Sequence, residues 1–180
     1  MSRKKVRYWY FFPAFIFFLS GCTQKTVFTP VNINGQYTVR LPSYLEPSTQ
    51  LSKEASLQYQ NTEKEFYCLV IDENKSELKK YNLNYTLKSY FDSAKKELLN
   101  RGLTDVFVAK SEEKHIDSCN VLIADILGKV GNEDVCYKFA VIETPHNYYQ
   151  FIFWTLKEYK KKYEVDMDSV LYSFKELPLN

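Results

Sequence analysis

Histidine and glycine are scarce in this chain. With only His115 and His146 in 180 residues, a histidine-built zinc site or a Ser-His-Asp triad would have to rest on one of those two. Five glycines argue against phosphate-cradling loops, and Gly-x-Gly-x-x-Gly, the Walker A loop, Gly-x-Ser-x-Gly and His-Glu-x-x-His do not occur. No apolar run approaches the ~20 residues that span ~30 Å of hydrocarbon as a helix. The longest, Tyr8 to Leu19, is twelve residues with Pro13 inside it, which argues against an uncleaved signal anchor. The acidic pairs Asp72-Glu73, Glu112-Glu113 and Asp166-x-Asp168 lack the spaced oxygens and bend glycine of a calcium loop, so they read as solvated turns and helix faces. These absences lead us to expect no catalytic residue, no metal and no cofactor, hence a protein that is not an enzyme.

What is present begins at the N-terminus. Arg3, Lys4, Lys5 and Arg7 precede the apolar stretch and Leu19-Ser20-Gly21-Cys22 closes it, the basic, apolar and small-residue order of a secretory signal. The closing run resembles the lipobox of bacterial lipoproteins. That resemblance implies cleavage before Cys22, a diacylglycerol on its sulfur and room for a further acyl chain on its amine. Each buried methylene contributes about 0.8 kcal/mol and one chain holds only reversibly, whereas two or three hold firmly. The mature protein is therefore expected to sit on a membrane, through its acyl chains, without crossing it. Thr23 follows the cysteine, not the aspartate that in enterobacterial lipoproteins resembles an inner-membrane retention signal. This implies the outer membrane rather than the inner, with the periplasmic or surface-facing orientation open. The signal holds four of the 24 basic residues and none of the 22 acidic ones, so the mature chain carries about −2 and has no net basic field to recruit nucleic acid.

Beyond Cys22 lie 158 residues, ample for one domain. Residues 23–34 have no periodicity and hold Pro30, Asn32 and Asn34. We read 1–21 as the signal peptide, 22–34 as a lipidated tether reaching up to about 40 Å, and 35–180 as the domain. Tyr37, Val39 and Leu41 alternate until Pro42; Ala55, Leu57 and Tyr59 pass through Asn61-Thr62-Glu63-Lys64 into the dense apolar string Phe66 to Ile71, as a hairpin would. Residues 78–85 are polar and read as a loop. Leu87, Tyr90, Phe91, Ala94, Leu98 and Leu99 fall at helical spacing, with Thr86 as N-cap and Gly102 as the residue past the C-cap. Strands are expected at 104–110, 119–128, 134–144 and 148–156, joined by turns at 128–134 and 144–147, and Tyr159, Tyr163, Met167, Val170, Leu171 and Phe174 mark a second helix.

The fold class is thus α+β, an antiparallel sheet covered on both faces by helices. Gly-Gln-Tyr-Thr-Val-Arg-Leu-Pro (35–42), Ser-Leu-Gln-Tyr (56–59), Phe-Tyr-Cys-Leu-Val-Ile (66–71), Ile-Phe-Trp-Thr (152–155) and Val-Leu-Tyr-Ser-Phe (170–174) resemble the PsbP/Mog1-like fold. The resemblance spans nearly the whole mature chain and its motifs are patterns of packing. It implies an α/β/α sandwich and a non-enzymatic binding or assembly role, with no functional residue to carry over.

Cys68, Cys119 and Cys136 are three, so at least one is a thiol, and each sits in an apolar stretch that suits a small core residue. A thiol enzyme pairing Cys119 or Cys136 with a histidine is the weakest reading. His115 and Cys119, four apart on one extended strand, would share a face about 13 Å from each other, beyond proton-transfer reach, and His146 follows Pro145 in a turn. Lys157, Lys160, Lys161 and Lys162 alternate with Glu158, Glu164 and Asp166, a solvated helix face with contact to anionic headgroups as its secondary reading. Asn74-Lys75-Ser76 and Asn84-Tyr85-Thr86 fit the glycosylation sequon, which a bacterial lipobox discounts. The run Tyr148 to Trp154 is the densest in aromatics. A strand buried on both faces needs that composition, and the competing reading is a pocket lined by Tyr148, Tyr149 and Trp154 that captures a small molecule or glycan. The leading expectation is a lipid-anchored cell-envelope module with an envelope protein as partner.

Overall fold

The computed structural model describes residues 25–178. Leu19, Ser20, Gly21 and Cys22 lie outside the described residues. The chain runs β1 (Phe28–Ile33), β2 (Tyr37–Pro42), β3 (Glu46–Pro47), β4 (Leu57–Asn61), β5 (Phe66–Asn74), α1 (Lys75–Lys80), α2 (Leu87–Leu99), β6 (Thr104–Val108), β7 (Glu112–Ile116), β8 (Cys119–Val130), β9 (Glu133–Glu143) and β10 (Asn147–Leu156). A 3₁₀ turn at Lys157–Tyr159 leads into α3 (Lys160–Tyr172) and the short β11 (Lys175–Glu176). The large sheet has the order β3-β4-β5-β10-β9-β8-β6, with β7 also paired to β8, and a small sheet has the order β1-β2-β11. All pairings are antiparallel.

β10 is the centre of the molecule, hydrogen-bonded to β5 on one side and β9 on the other. Its two-fold alternation sends Tyr148 and Ile152 to one face with Leu69 and Phe139, and Tyr149, Phe151 and Phe153 to the other with Cys68 and Val70. The first face is covered by Tyr90, Phe91, Ala94 and Leu98 of α2. The second is covered by Tyr163, Met167, Val170 and Leu171 of α3 together with Tyr37, Val39 and Leu41 of β2. The α+β class and the helices on both faces are as read from the sequence. The small sheet takes part of the cover that the periodicity assigned to a helix alone.

Three segments differ from their reading, and each buries little. β1 occupies part of the expected tether: its burial is confined to Ile33 at one end, with Phe28 and Val31 half-buried, so no alternation marks it. Pro30 fits there because β1 is an edge strand, where a missing N–H costs no ladder bond. The domain thus starts ahead of residue 35, and what is left for a tether ends before Phe28. α1 lies in and before the expected loop 78–85. None of its residues is buried, and it is fixed instead by Asn74, whose Oδ1 accepts from the Ser76 N–H (2.9 Å) and the Ser76 hydroxyl (2.6 Å). The sequon at 74–76 is therefore a helix cap. β7, Glu-Glu-Lys-His-Ile, buries only Ile116.

The start of α2 is as expected. Thr86 Oγ1 accepts from the Ser89 N–H (3.2 Å) while Ser89 Oγ accepts from the Thr86 N–H (2.9 Å), a reciprocal cap. At its other end Asn100 is the C-cap, and Gly102, with φ +91°, sits one residue further out than expected.

Candidate functional site

The chain enters the fold beside a cleft of about 590 Å³ lined by Lys25, Thr26, Val27, Ser43, Tyr44, Lys64, Lys162, Tyr163 and Asp166. Four separate segments build it. Residues 25–27 lead into β1, Ser43 and Tyr44 follow the proline that ends β2, Lys64 belongs to the β4–β5 turn, and α3 supplies 162–166. A second opening of about 660 Å³ continues from it along Phe28, Arg40, Val165 and Ser169.

Asp166 is the anchor of this corner. It is buried, and its Oδ2 accepts from the Tyr44 hydroxyl (2.7 Å) and the Thr26 hydroxyl (3.2 Å), which satisfies a carboxylate that would otherwise be costly to desolvate. Burial, and then the bond to Asp166, push the Tyr44 hydroxyl well above the usual phenol range. The aromatic floor consists of Tyr163 stacked on Phe66 (centroids 5.0 Å) with Tyr44 beside both. Lys64 lies over the Tyr44 ring (5.6 Å) and Lys162 over Tyr163 (4.9 Å). The corner thus offers amines above an apolar, aromatic base, with its one carboxylate already engaged by hydroxyls. No histidine or thiol lines it, and among the described residues no group of three or more His, Cys, Asp or Glu is placed to hold a metal.

The acidic pair Asp166-x-Asp168 is not a solvated helix face. Asp166 points inward as described, and Asp168 pairs with Lys138, a lysine buried on β9. Glu73 is likewise engaged, accepting from the Tyr90 hydroxyl and from Gln150 Nε2 (3.3 Å). Of the basic run, Lys160 is tied to Asp125 at 2.6 Å.

The aromatic run is core. Tyr148 and Tyr149 are buried, and the Tyr149 hydroxyl donates to Glu176 Oε1 (3.0 Å), which also accepts from Thr144 (2.8 Å) and Asn147 (3.1 Å). Trp154 is half-buried with its two ring faces taken, by Tyr67 at 5.0 Å and 7° and by Tyr137 at 5.9 Å and 22°. Tyr149 is enclosed by the core, Tyr148, though buried, borders an opening of about 210 Å³ beside Lys75, Tyr85 and Glu143, and Trp154 has both ring faces covered, so the three do not line one common pocket.

His115 and Cys119 do not share a strand. The chain reverses at Asp117-Ser118, with Asp117 at φ +50°, so that Ile116 faces Cys119 and His115 faces Asn120 across the β7–β8 hairpin. Directly opposed residues point to the same side, which puts His115 with the exposed Asn120 and Cys119 on the core side with Ile116. His146 is exposed in the β9–β10 turn. Cys68, Cys119 and Cys136 are all free. Burial raises all three thiols, Cys136 to about 11, and around Cys119 the charges of Glu176 and Asp117 add to it. A raised thiol pKa means less thiolate at a given pH. Iodoacetamide at pH 7.5 is therefore expected to leave Cys68 and Cys136 unmodified in the folded protein and to label the half-buried Cys119 more slowly than free cysteine, read by peptide mass. Fast labelling of Cys119 or Cys136 would revive a thiol reaction.

No protein-family model matches the chain, and no curated protein sequence matches it. Solved structures do. Cyanobacterial PsbP (CyanoP) from Synechocystis sp. PCC 6803 superposes with a TM-score of 0.63 at 14% identity, covering 87% of this chain and 96% of that one. LpqN of Mycobacterium tuberculosis, involved in cell envelope biogenesis, gives 0.61 at 11% identity, covering 84% and 91%. PA94 of Pseudomonas aeruginosa, a protein of unknown function, gives 0.50 at 11% identity, covering 84% and 99%. The fold of this chain, an α+β domain with antiparallel sheets and few helices, is PsbP-like.

Proposed function

We propose that this protein is a lipid-anchored component of the bacterial cell envelope, a single PsbP-like domain held by acyl chains on Cys22, that binds or assembles with another envelope protein and catalyses no reaction. The observation that carries this reading is the spacing between lipobox and fold: β1 begins at Phe28, six residues past Cys22, so an acylated cysteine would hold the domain directly at a bilayer surface. LpqN, which shares the fold, is involved in cell envelope biogenesis, and that supports an envelope role. Among the described residues no helix is long and apolar enough to cross a membrane, and an acyl anchor needs none. Thr23 at the position after the cysteine favours the outer membrane. The thiols are raised and the histidines stand in exposed turns or hairpins, which supports binding over catalysis.

Mass spectrometry of the N-terminal peptide tests the anchor. The expected peptide begins at Cys22 and carries a diacylglycerol, the protein partitions with membranes, and Cys22→Ser moves it to the soluble fraction. A soluble protein that keeps an unmodified Met1 would overturn the reading. Cross-linking in intact envelopes tests the binding role: a reproducible protein partner is expected, and repeated recovery of none with the anchor intact counts against it.

A further inference from the structure

Val27 and Val165 are among the most exposed large apolar side chains of the described residues, at 65% and 71%, and both line the opening at the chain entry. Around them stand Lys25, Arg40, Lys64 and Lys162. Among the described residues no carboxylate lies within ion-pair distance of any of these four, and Asp166 beneath them is engaged by hydroxyls. A mature chain of about −2 thus gathers four unpaired cations around two bare valines on one face. Lys25 is three residues from Cys22, which is at most about 10 Å of extended backbone. That is about a Debye length at physiological ionic strength.

Building on the anchor reading, we propose that this face is the one turned to the membrane: Lys25, Arg40, Lys64 and Lys162 rest on the anionic phospholipid headgroups of the bilayer that holds the Cys22 acyl chains, and Val27 and Val165 enter the headgroup boundary. The anchor supplies attachment and this face supplies orientation. Basic side chains near an anionic surface and apolar side chains at its boundary act in the same direction, and both kinds converge where the chain enters the fold. The orientation turns the other side of the domain, with α1 and β6, away from the chain entry and leaves it free for partners.

The mature chain has one tryptophan, Trp154, whose ring belongs to the α2 face of the sheet, opposite α3. Val165→Trp therefore adds a reporter to the proposed face. Phe107→Trp adds one at β6, the far edge of the large sheet from β3 and β4; Phe107 is also exposed. The full-length lipidated protein would be reconstituted into vesicles of phosphatidylcholine with brominated acyl chains, with and without phosphatidylglycerol. With phosphatidylglycerol present, the added emission of Val165→Trp is expected to fall by about half or more while that of Phe107→Trp is unchanged. The quenching is expected to vanish in 1 M salt, where the Debye length is about 3 Å, and in the triple variant Lys25→Glu/Lys64→Glu/Lys162→Glu. That variant still floats with the vesicles. Equal quenching of the two reporters, or none while the protein floats, would overturn the face and leave the anchor standing. Failure of the lipidated protein to float would overturn the anchor, and the face with it.

Discussion

Thermal unfolding of the Phe174→Ala variant is expected about 10 °C below that of the parent protein, whereas Phe107→Ala is expected to shift it by no more than a degree or two. Phe174 follows the last turn of α3 and precedes the two residues of β11. Its ring is 2% exposed and lies 4.8 Å from Tyr149, 5.7 Å from Tyr37 and 5.8 Å from Phe151. It therefore joins three layers at once: the central strand β10, the small sheet through β2, and the C-terminal end of α3. Removing a fully packed phenylalanine costs about 3–5 kcal/mol through lost transfer energy and the cavity left behind. For a chain of this size each kcal/mol moves the midpoint about 2–4 °C. Phe107 stands 63% exposed on edge strand β6, and its truncation leaves no cavity, so its cost stays within about 0.5 kcal/mol. Differential scanning calorimetry of the two variants checks the contrast. Similar midpoints would mean that the corner between the sheets is not packed as described.

The comparison of these two phenylalanines also explains what the sequence could reveal. Residues with strong periodic burial were legible: Tyr37, Val39 and Leu41 alternate because β2 faces the core on one side, and Tyr90, Phe91, Ala94 and Leu98 repeat at helical spacing because α2 lies across the sheet. β1, α1 and β7 were not legible, because each buries at most one residue and is held by backbone pairing or by a cap. Backbone hydrogen bonds leave no mark on composition. The cleft at the chain entry was illegible for a different reason. Lys25, Tyr44, Lys64 and Asp166 are brought together only by the packing of β1–β2, the β4–β5 turn and α3, and no local motif encodes that convergence. Asp166 carried one faint signal, its place at i+3 from Tyr163 and next to Met167 on the buried stripe of α3. Cys22 is the reverse case, plain in the sequence and outside the described residues.

Breaking the pair Lys138–Asp168 is expected to depend strongly on which partner is removed. The Lys138 side chain is 8% exposed on the α3 side of β9, with its amine bonded to Asp168, whose own side chain is 41% exposed on the helix. Asp168→Asn would strand a positive charge in a largely dry site. Asp125 stands opposite Lys138 on β8 but is already paired with Lys160, so it relieves the charge only in part. A loss of about 2 kcal/mol follows, below the 3–5 kcal/mol of a fully enclosed pair because Asp168 sits at the solvent edge. Lys138→Met keeps the length and apolar stem of the side chain and leaves behind only a carboxylate that water can reach. That change is expected to cost less than about 1 kcal/mol. The double variant Lys138→Met/Asp168→Asn then recovers most of what Asp168→Asn lost, since the stranded charge is gone. Urea unfolding of the three variants, read as a double-mutant cycle, measures this asymmetry directly. Equal losses from the two single changes would show that the lysine is as well hydrated as its partner.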